Sequence, residues 1–137
     1  MQNEPTRNEP TQPLAKPLEV RIVEIETTDE FDRRSKALTK KYRNLKLDLE
    51  PLTLALQSGE TPGDTLTGLE ILAFKVRVSN SNISRGKSGG YRVIYYVVLP
   101  TKIVLLTIYA KSEQENISAK EIERIVEAFN RRNDHTE

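Results

Sequence analysis

"YRVIYYVVLPTKIVLLTIYAK", residues 91 to 111, decides the fold. Val, Ile, Leu and Tyr crowd both halves, and β-branched and aromatic residues suit a pleated, half-buried surface. Pro100 and Thr101 interrupt the run, and proline has no N–H to give to a ladder, so the break reads as a turn. Two strands joined by so short a link pair antiparallel, because a parallel pair needs a long crossover between them.

Working outward, "ILAFKVRVS" (71–79) alternates Leu72, Phe74, Val76 and Val78 with Ala73, Lys75 and Arg77. Period two makes it a third strand and places its cations on one face. The loop after it, "NSNISRGKSGG" (80–90), carries Gly86, Gly89 and Gly90, which permit positive φ and close backbone approach. A plain hairpin turn satisfies those glycines on their own. Upstream, "LEVRIVEIE" (18–26) suits a first strand. Thr27 with Glu30 forms a capping box opening a helix through Phe31, Leu38, Tyr42 and Leu45. A second helix occupies roughly residues 48–57 around Leu49, Leu52 and Leu56, with Pro51 fitting only in its first turn. Downstream, Ser118 and Glu121 make another capping box before Ile122, Ile125, Val126 and Phe129. The order β-α-α-β-β-β-α predicts an α+β fold, helices flanking a small antiparallel β-sheet.

One domain is expected over residues 18–132, within a chain of 137. Residues 1–17 hold Pro5, Pro10, Pro13 and Pro17 and the repeated "NEPT", few apolar residues, and read as a disordered arm. Residues 133–137 read as a disordered tail. No apolar run approaches a membrane span, and no secretory signal opens the chain, so a cytoplasmic protein is expected.

Net charge is only +1, but it is unevenly spread. Residues 71–112 contain Lys75, Arg77, Arg85, Lys87, Arg92, Lys102 and Lys111 and no Asp or Glu, so that stretch is +7 and the remainder −6. Such asymmetry points to a polyanion, nucleic acid before others. A solvated basic sheet face is the plainer account.

Several chemistries fall away. The chain has no cysteine and a single histidine, His135, near its C-terminus, so neither a zinc cluster nor a Ser-His-Asp triad is expected. "RGKSGG" lacks the spacing of a phosphate-binding P-loop. An acid-free stretch offers no two-metal carboxylate site, and no metal or cofactor is expected. What remains is chemistry done with cations, a phenol and backbone amides. RNA brings its own nucleophile, the 2′-hydroxyl, so an enzyme need only align it, neutralise the phosphate and help protons move. Arginine forks suit phosphate oxygens. A lysine, ordinarily titrating near ~10.4, becomes an acid or base when neighbouring cations and burial lower that value. Tyr109 and Lys111 stand two apart on the last strand and so share a face. Sheet packing is the plainer account of Tyr91, Tyr95 and Tyr96, and solvation that of Lys102.

"FKVRVSNSNISRGKSGGYRVIYYV", followed by "LLTIYAKSEQENIS", resembles the RelE/ParE superfamily of bacterial toxins, and most of all its HigB-type RelE branch. The likeness spans about residues 20–130. It implies a small antiparallel sheet flanked by helices, ribosome-dependent endonuclease activity on mRNA, and a cognate antitoxin, expected to be a helix-turn-helix protein from the adjacent gene. By resemblance Arg92 contacts the scissile phosphate, Arg85 and Lys87 form the basic loop before it, and Lys75 and Arg77 are the basic pair of the preceding strand. Tyr109 and Lys111 match the tyrosine and lysine of the HigB-type "IY-x-K". The expected catalytic set is therefore Arg92, Lys87, Lys75, Arg77, Tyr109 and Lys111, with Arg85, Ser88, Tyr91 and Lys102 binding RNA. The sequence departs from the RelE type in having no tyrosine after Tyr109, so a catalytic phenol must come from Tyr109 or Tyr91. Two alternatives stand beside this reading: a ParE-type toxin that poisons gyrase without cutting RNA, and a non-catalytic module that only holds nucleic acid or antitoxin.

Overall fold

The structure, a computed structural model, describes residues 22–83 and 89–135. Its elements are β1 (Glu24–Thr27), α1 (Asp29–Lys41), α2 (Leu45–Gln57), β2 (Asp64–Thr65), β3 (Ala73–Val78), β4 (Tyr91–Leu99), β5 (Lys102–Ala110) and α3 (Ala119–His135). The expected α+β order stands, with the two-residue β2 added on the edge of β3. The sheet order is β1-β5-β4-β3-β2. β1 runs parallel to β5, so the sheet is mixed rather than wholly antiparallel. The intervening helices and strands supply the long crossover that parallel pairing requires.

The β4–β5 hairpin forms as its sequence demands, with Leu99 opposite Lys102 across the Pro100–Thr101 turn. Ile94 faces Thr107 but Tyr95 faces Leu105, so Leu106 is an extra residue in β5. Val104 and Leu106 share one side by ordinary alternation, and the bulge then reverses the parity, so that Ile108 and Ala110 take the other. On that other face α1 and α2 pack Phe31, Leu38, Leu45, Leu52 and Leu56 onto Tyr91, Val93 and Tyr95. On the first face α3 lays Ile122, Ile125 and Phe129 over Ile94, Val104 and Leu106.

Three local expectations shift. The cap of α1 is Thr28, not Thr27: its Oγ accepts from the Phe31 amide at 2.9 Å and donates to the Leu106 carbonyl at 2.7 Å. Thr27 ends β1, and Glu30 reaches forward to Arg33 and Arg34 instead of back to a cap. α2 begins at Leu45, which places Pro51 inside the helix rather than in its first turn. Proline offers no N–H to the Leu47 carbonyl four residues back, but both residues face solvent, where water serves that carbonyl. α3 starts as expected, with the Glu121 amide bonded to Ser118 Oγ at 3.1 Å, and continues to His135, past the boundary expected at residue 132.

Candidate active site

Strand register gathers the chemistry. Arg77 of β3 lies directly opposite Arg92 of β4, and Arg92 directly opposite Tyr109 of β5. Residues opposite one another share a face, so the three side chains form one row across three strands. The next row is Lys75, Ile94 and Thr107. Ile94 packs under α3, which fixes the face: the cations lie on the α3 side. Burial deepens along the row, from exposed Arg77 to Arg92 at 8 % and Tyr109 at 2 % exposure. Like charges directly opposite destabilise a sheet. No carboxylate among the described residues pairs with either arginine, so none of these relieves the repulsion.

Arg92 is held by backbone. Its Nη1 donates to the Gly89 carbonyl at 2.5 Å and to the Tyr91 carbonyl at 3.3 Å. Nε and Nη2 have no partner among the described residues, leaving part of the guanidinium fork for an anion. The turn that makes this possible depends on glycine at position 90, where φ is +56° and an added Cβ would stand 2.3 Å from the Val78 carbonyl oxygen. The Gly90 carbonyl in turn accepts from the Lys111 amide at 2.9 Å. Gly90→Ala is therefore expected to destabilise the domain by about 2 kcal/mol or more, from left-handed strain plus backbone collision. A urea midpoint equal to wild type would show that the turn does not need glycine.

Tyr109 is the phenol of the row. Its hydroxyl is buried and has no hydrogen-bond partner among the described residues. Burial pushes its pKa up; the Arg92 charge pulls it down and Glu115 adds to the rise. The phenol is therefore neutral near pH 7, a proton donor and not a base. Tyr91 is elsewhere. Adjacent to Arg92 in the strand, it points to the opposite face, edge-on to Tyr42 at 5.9 Å, its pKa pushed up to about 12 by burial and then by Asp48 and Tyr42.

The other expected residues divide. Lys75 extends to the Asn116 side chain, Nζ to Oδ1 3.4 Å, in the connection between β5 and α3. Lys111 follows Tyr109 and pairs with Glu115 at 3.4 Å. Lys102 stands at the other end of β5, paired with Glu26 at 3.3 Å; seven residues separate it from Tyr109, about 23 Å of strand. Lys102 and Tyr91 are thus not brought to the row. Arg85, Lys87 and Ser88 lie outside the described residues. The stretch that is acid-free in sequence borrows Glu26 and Glu115 in space, and among its described residues the cations left without acids are Lys75, Arg77 and Arg92.

Sequence reasoning missed the strap that ties α1, on the opposite face, to the connection from β5 to α3. Arg34 of α1 donates to Gln114 Oε1 at 3.3 Å, Gln114 Nε2 donates to the Asn116 carbonyl at 3.0 Å, and Lys41 pairs with Glu113 at 2.8 Å. A signal was present: residues 33–47 hold Arg33, Arg34, Lys36, Lys40, Lys41, Arg43 and Lys46 with no acid, a second cationic run. Arg33 and Arg34 find Glu30 on their own helix, whereas Lys41 reaches Glu113 across the fold.

An α+β fold whose mixed sheet lines up two arginines, a lysine and a buried phenol on one face defines a small protein with a cationic sheet face. The chain matches the description "RelE toxin of RelE / RelB toxin-antitoxin system" over residues 30–136. It belongs to the RelE toxin family, and is accordingly a toxin of a toxin–antitoxin system whose family implies a cognate antitoxin. No curated protein matches it significantly. Among the described residues no helix is long and apolar enough to cross a membrane.

Proposed function

We propose that the chain is a ribosome-dependent, metal-independent mRNA endoribonuclease of the HigB-type branch, acting in the cytoplasm and restrained by a helix-turn-helix antitoxin. The observation that supports this most is the row Arg77–Arg92–Tyr109, with Lys75 one row behind. Arg92 presents its unbonded donors to a non-bridging oxygen of the scissile phosphate, and Arg77 and Lys75 add positive charge. The RNA 2′-oxygen attacks the adjacent phosphorus and its proton passes to solvent or a neighbouring base. The bond from phosphorus to the 5′-oxygen breaks, and that oxygen takes a proton. Neutral Tyr109 fits the donor's part. The products are a 2′,3′-cyclic phosphate and a 5′-hydroxyl.

Inducible expression followed by mapping of mRNA 5′ ends tests the reading. Growth arrest should come with new ends inside translated codons. Arrest with intact mRNA and damaged DNA would overturn it in favour of a gyrase poison, and protection of bound RNA without shortening would leave only a binding module.

A further inference from the structure

The connection from β3 to β4 is gripped at its start by α2. Asp48, in the first turn of α2, accepts from the Ser81 amide at 2.9 Å and from the Ser81 hydroxyl at 3.2 Å, both to Oδ2. Asn44, just before the helix, donates its backbone amide to Asn82 Oδ1 at 2.7 Å and its side-chain amide to Ser81 Oγ at 3.0 Å. Asn82 closes the cluster, its amide bonded at 2.8 Å to the side chain of buried Asn80.

Two features set this cluster apart from ordinary loop packing. Asn44 is the N-cap of α2, yet it makes no side-chain cap bond. Asparagine is among the best capping residues, and the helix forgoes about 1 kcal/mol when its cap goes unused. Its amide is committed to Ser81 instead. Asp48 also serves a stretch that has no acid of its own, residues 71–112, and its partners among the described residues are neutral donors. Among the described residues it therefore holds the start of the connection without pairing with a cation. At the far side of the connection Asp48 lies near enough to Tyr91 for its charge to act on that phenol, and Tyr91 precedes Arg92. The carboxylate that holds Ser81 thus also acts on the residue next to Arg92.

We propose that Asp48 is a positioning residue: by clasping Ser81 it fixes the chain just past β3, where the Val78 carbonyl and the Asn80 amide lie against Gly90, so that the turn at Gly89 and Gly90 presents Arg92 in one orientation. The proposal rests on the endonuclease reading above. A loop left free at one stem must be ordered anew at each turnover, and small misplacements of positioning groups are costly to the chemical step.

The test compares wild type, Asp48→Ala and Asp48→Asn on ribosome-bound mRNA, well below their melting midpoints, with amide hydrogen exchange at Ser81 as a second measurement. Asp48→Ala should lower kcat about tenfold through lost positioning, without raising KM, because removing a negative charge beside a cationic surface does not weaken RNA attraction. Its Ser81 amide should exchange faster. Asp48→Asn keeps an acceptor for that amide and should recover most of kcat and of the protection. If Asp48→Ala does not fold, the Asn variant and Ser81→Ala, which loses the hydroxyl bonds and keeps the amide bond, should rank in activity as they rank in Ser81 protection. Faster exchange at Ser81 with unchanged kcat would overturn the positioning role, and unchanged exchange would overturn the clasp itself. A wild-type protein that cuts no mRNA would instead overturn the nuclease reading, and with it any role of Asp48 in catalysis, a result that active wild type with an indifferent Asp48→Ala cannot be confused with.

Discussion

Arg92→Ala is expected to abolish toxicity and lower mRNA cleavage roughly a hundredfold or more, the loss that follows removal of one preorganised donor from a developing charge, ~3 kcal/mol. The guanidinium stands between Arg77 and Tyr109, and two of its bonds go to backbone carbonyls at the turn, not to an acid. Those two bonds also give it a modest structural part, so the variant should melt somewhat lower, by the equivalent of about 1 kcal/mol per bond lost. The functional effect is much the larger, and antitoxin binding should persist. Arg92→Lys should rescue poorly, because an ammonium cannot both bond the Gly89 carbonyl and present a planar fork to phosphate. Melting midpoint and cleavage measured on the same preparations decide the matter. A variant as stable and as toxic as wild type would remove Arg92 from the site.

The hairpin that carries this site was legible because Pro100 and Thr101 leave one way for two β-rich runs to pair. Strand parity then places Arg77, Arg92 and Tyr109 on one face, and the same parity sends Tyr91 to the other. What parity cannot give is the point where register slips. The extra residue Leu106 shifts the pairing beyond Tyr95, and no residue in that run announces a bulge. Charge was harder to read than pattern. Lys102 and Lys111 find Glu26 and Glu115 only through tertiary approach, and Lys102 lies a strand's length from the arginines. The cap slid from Thr27 to Thr28 because either threonine fits the local signal, and the bond to the Leu106 carbonyl, seventy-eight residues away, selects Thr28. Asp48 was invisible for the same reason: its partner Ser81 lies thirty-three residues on, across the rest of α2 and two strands.

Replacing the scissile nucleotide by its 2′-deoxy form is expected to abolish cutting altogether, while chelation leaves cutting intact as long as the ribosome itself stays assembled. Both halves follow from which nucleophile the chain has to offer. It has no cysteine, and its single histidine lies near the C-terminus, far along the chain from the row. Tyr109 is kept protonated by burial, so it donates rather than attacks. On the endonuclease reading proposed above the protein supplies cations and a proton donor and the RNA supplies the attacking oxygen, so without a 2′-hydroxyl there is nothing to align. A metal-bound hydroxide would behave in the opposite way, losing activity to a chelator and sparing the deoxy substrate. End-group analysis gives a third check, since attack by the 2′-oxygen leaves a cyclic or 3′-phosphate and a 5′-hydroxyl, whereas attack by water leaves the 5′-phosphate that a ligase accepts directly. Tyr109→Phe should then slow cleavage by about a hundredfold or more, the usual worth of one positioned proton donor. The deoxy substrate loses everything, because it lacks the nucleophile itself. Continued cutting of the deoxy substrate would overturn the assignment of attack to the 2′-oxygen, whatever the arginine row contributes.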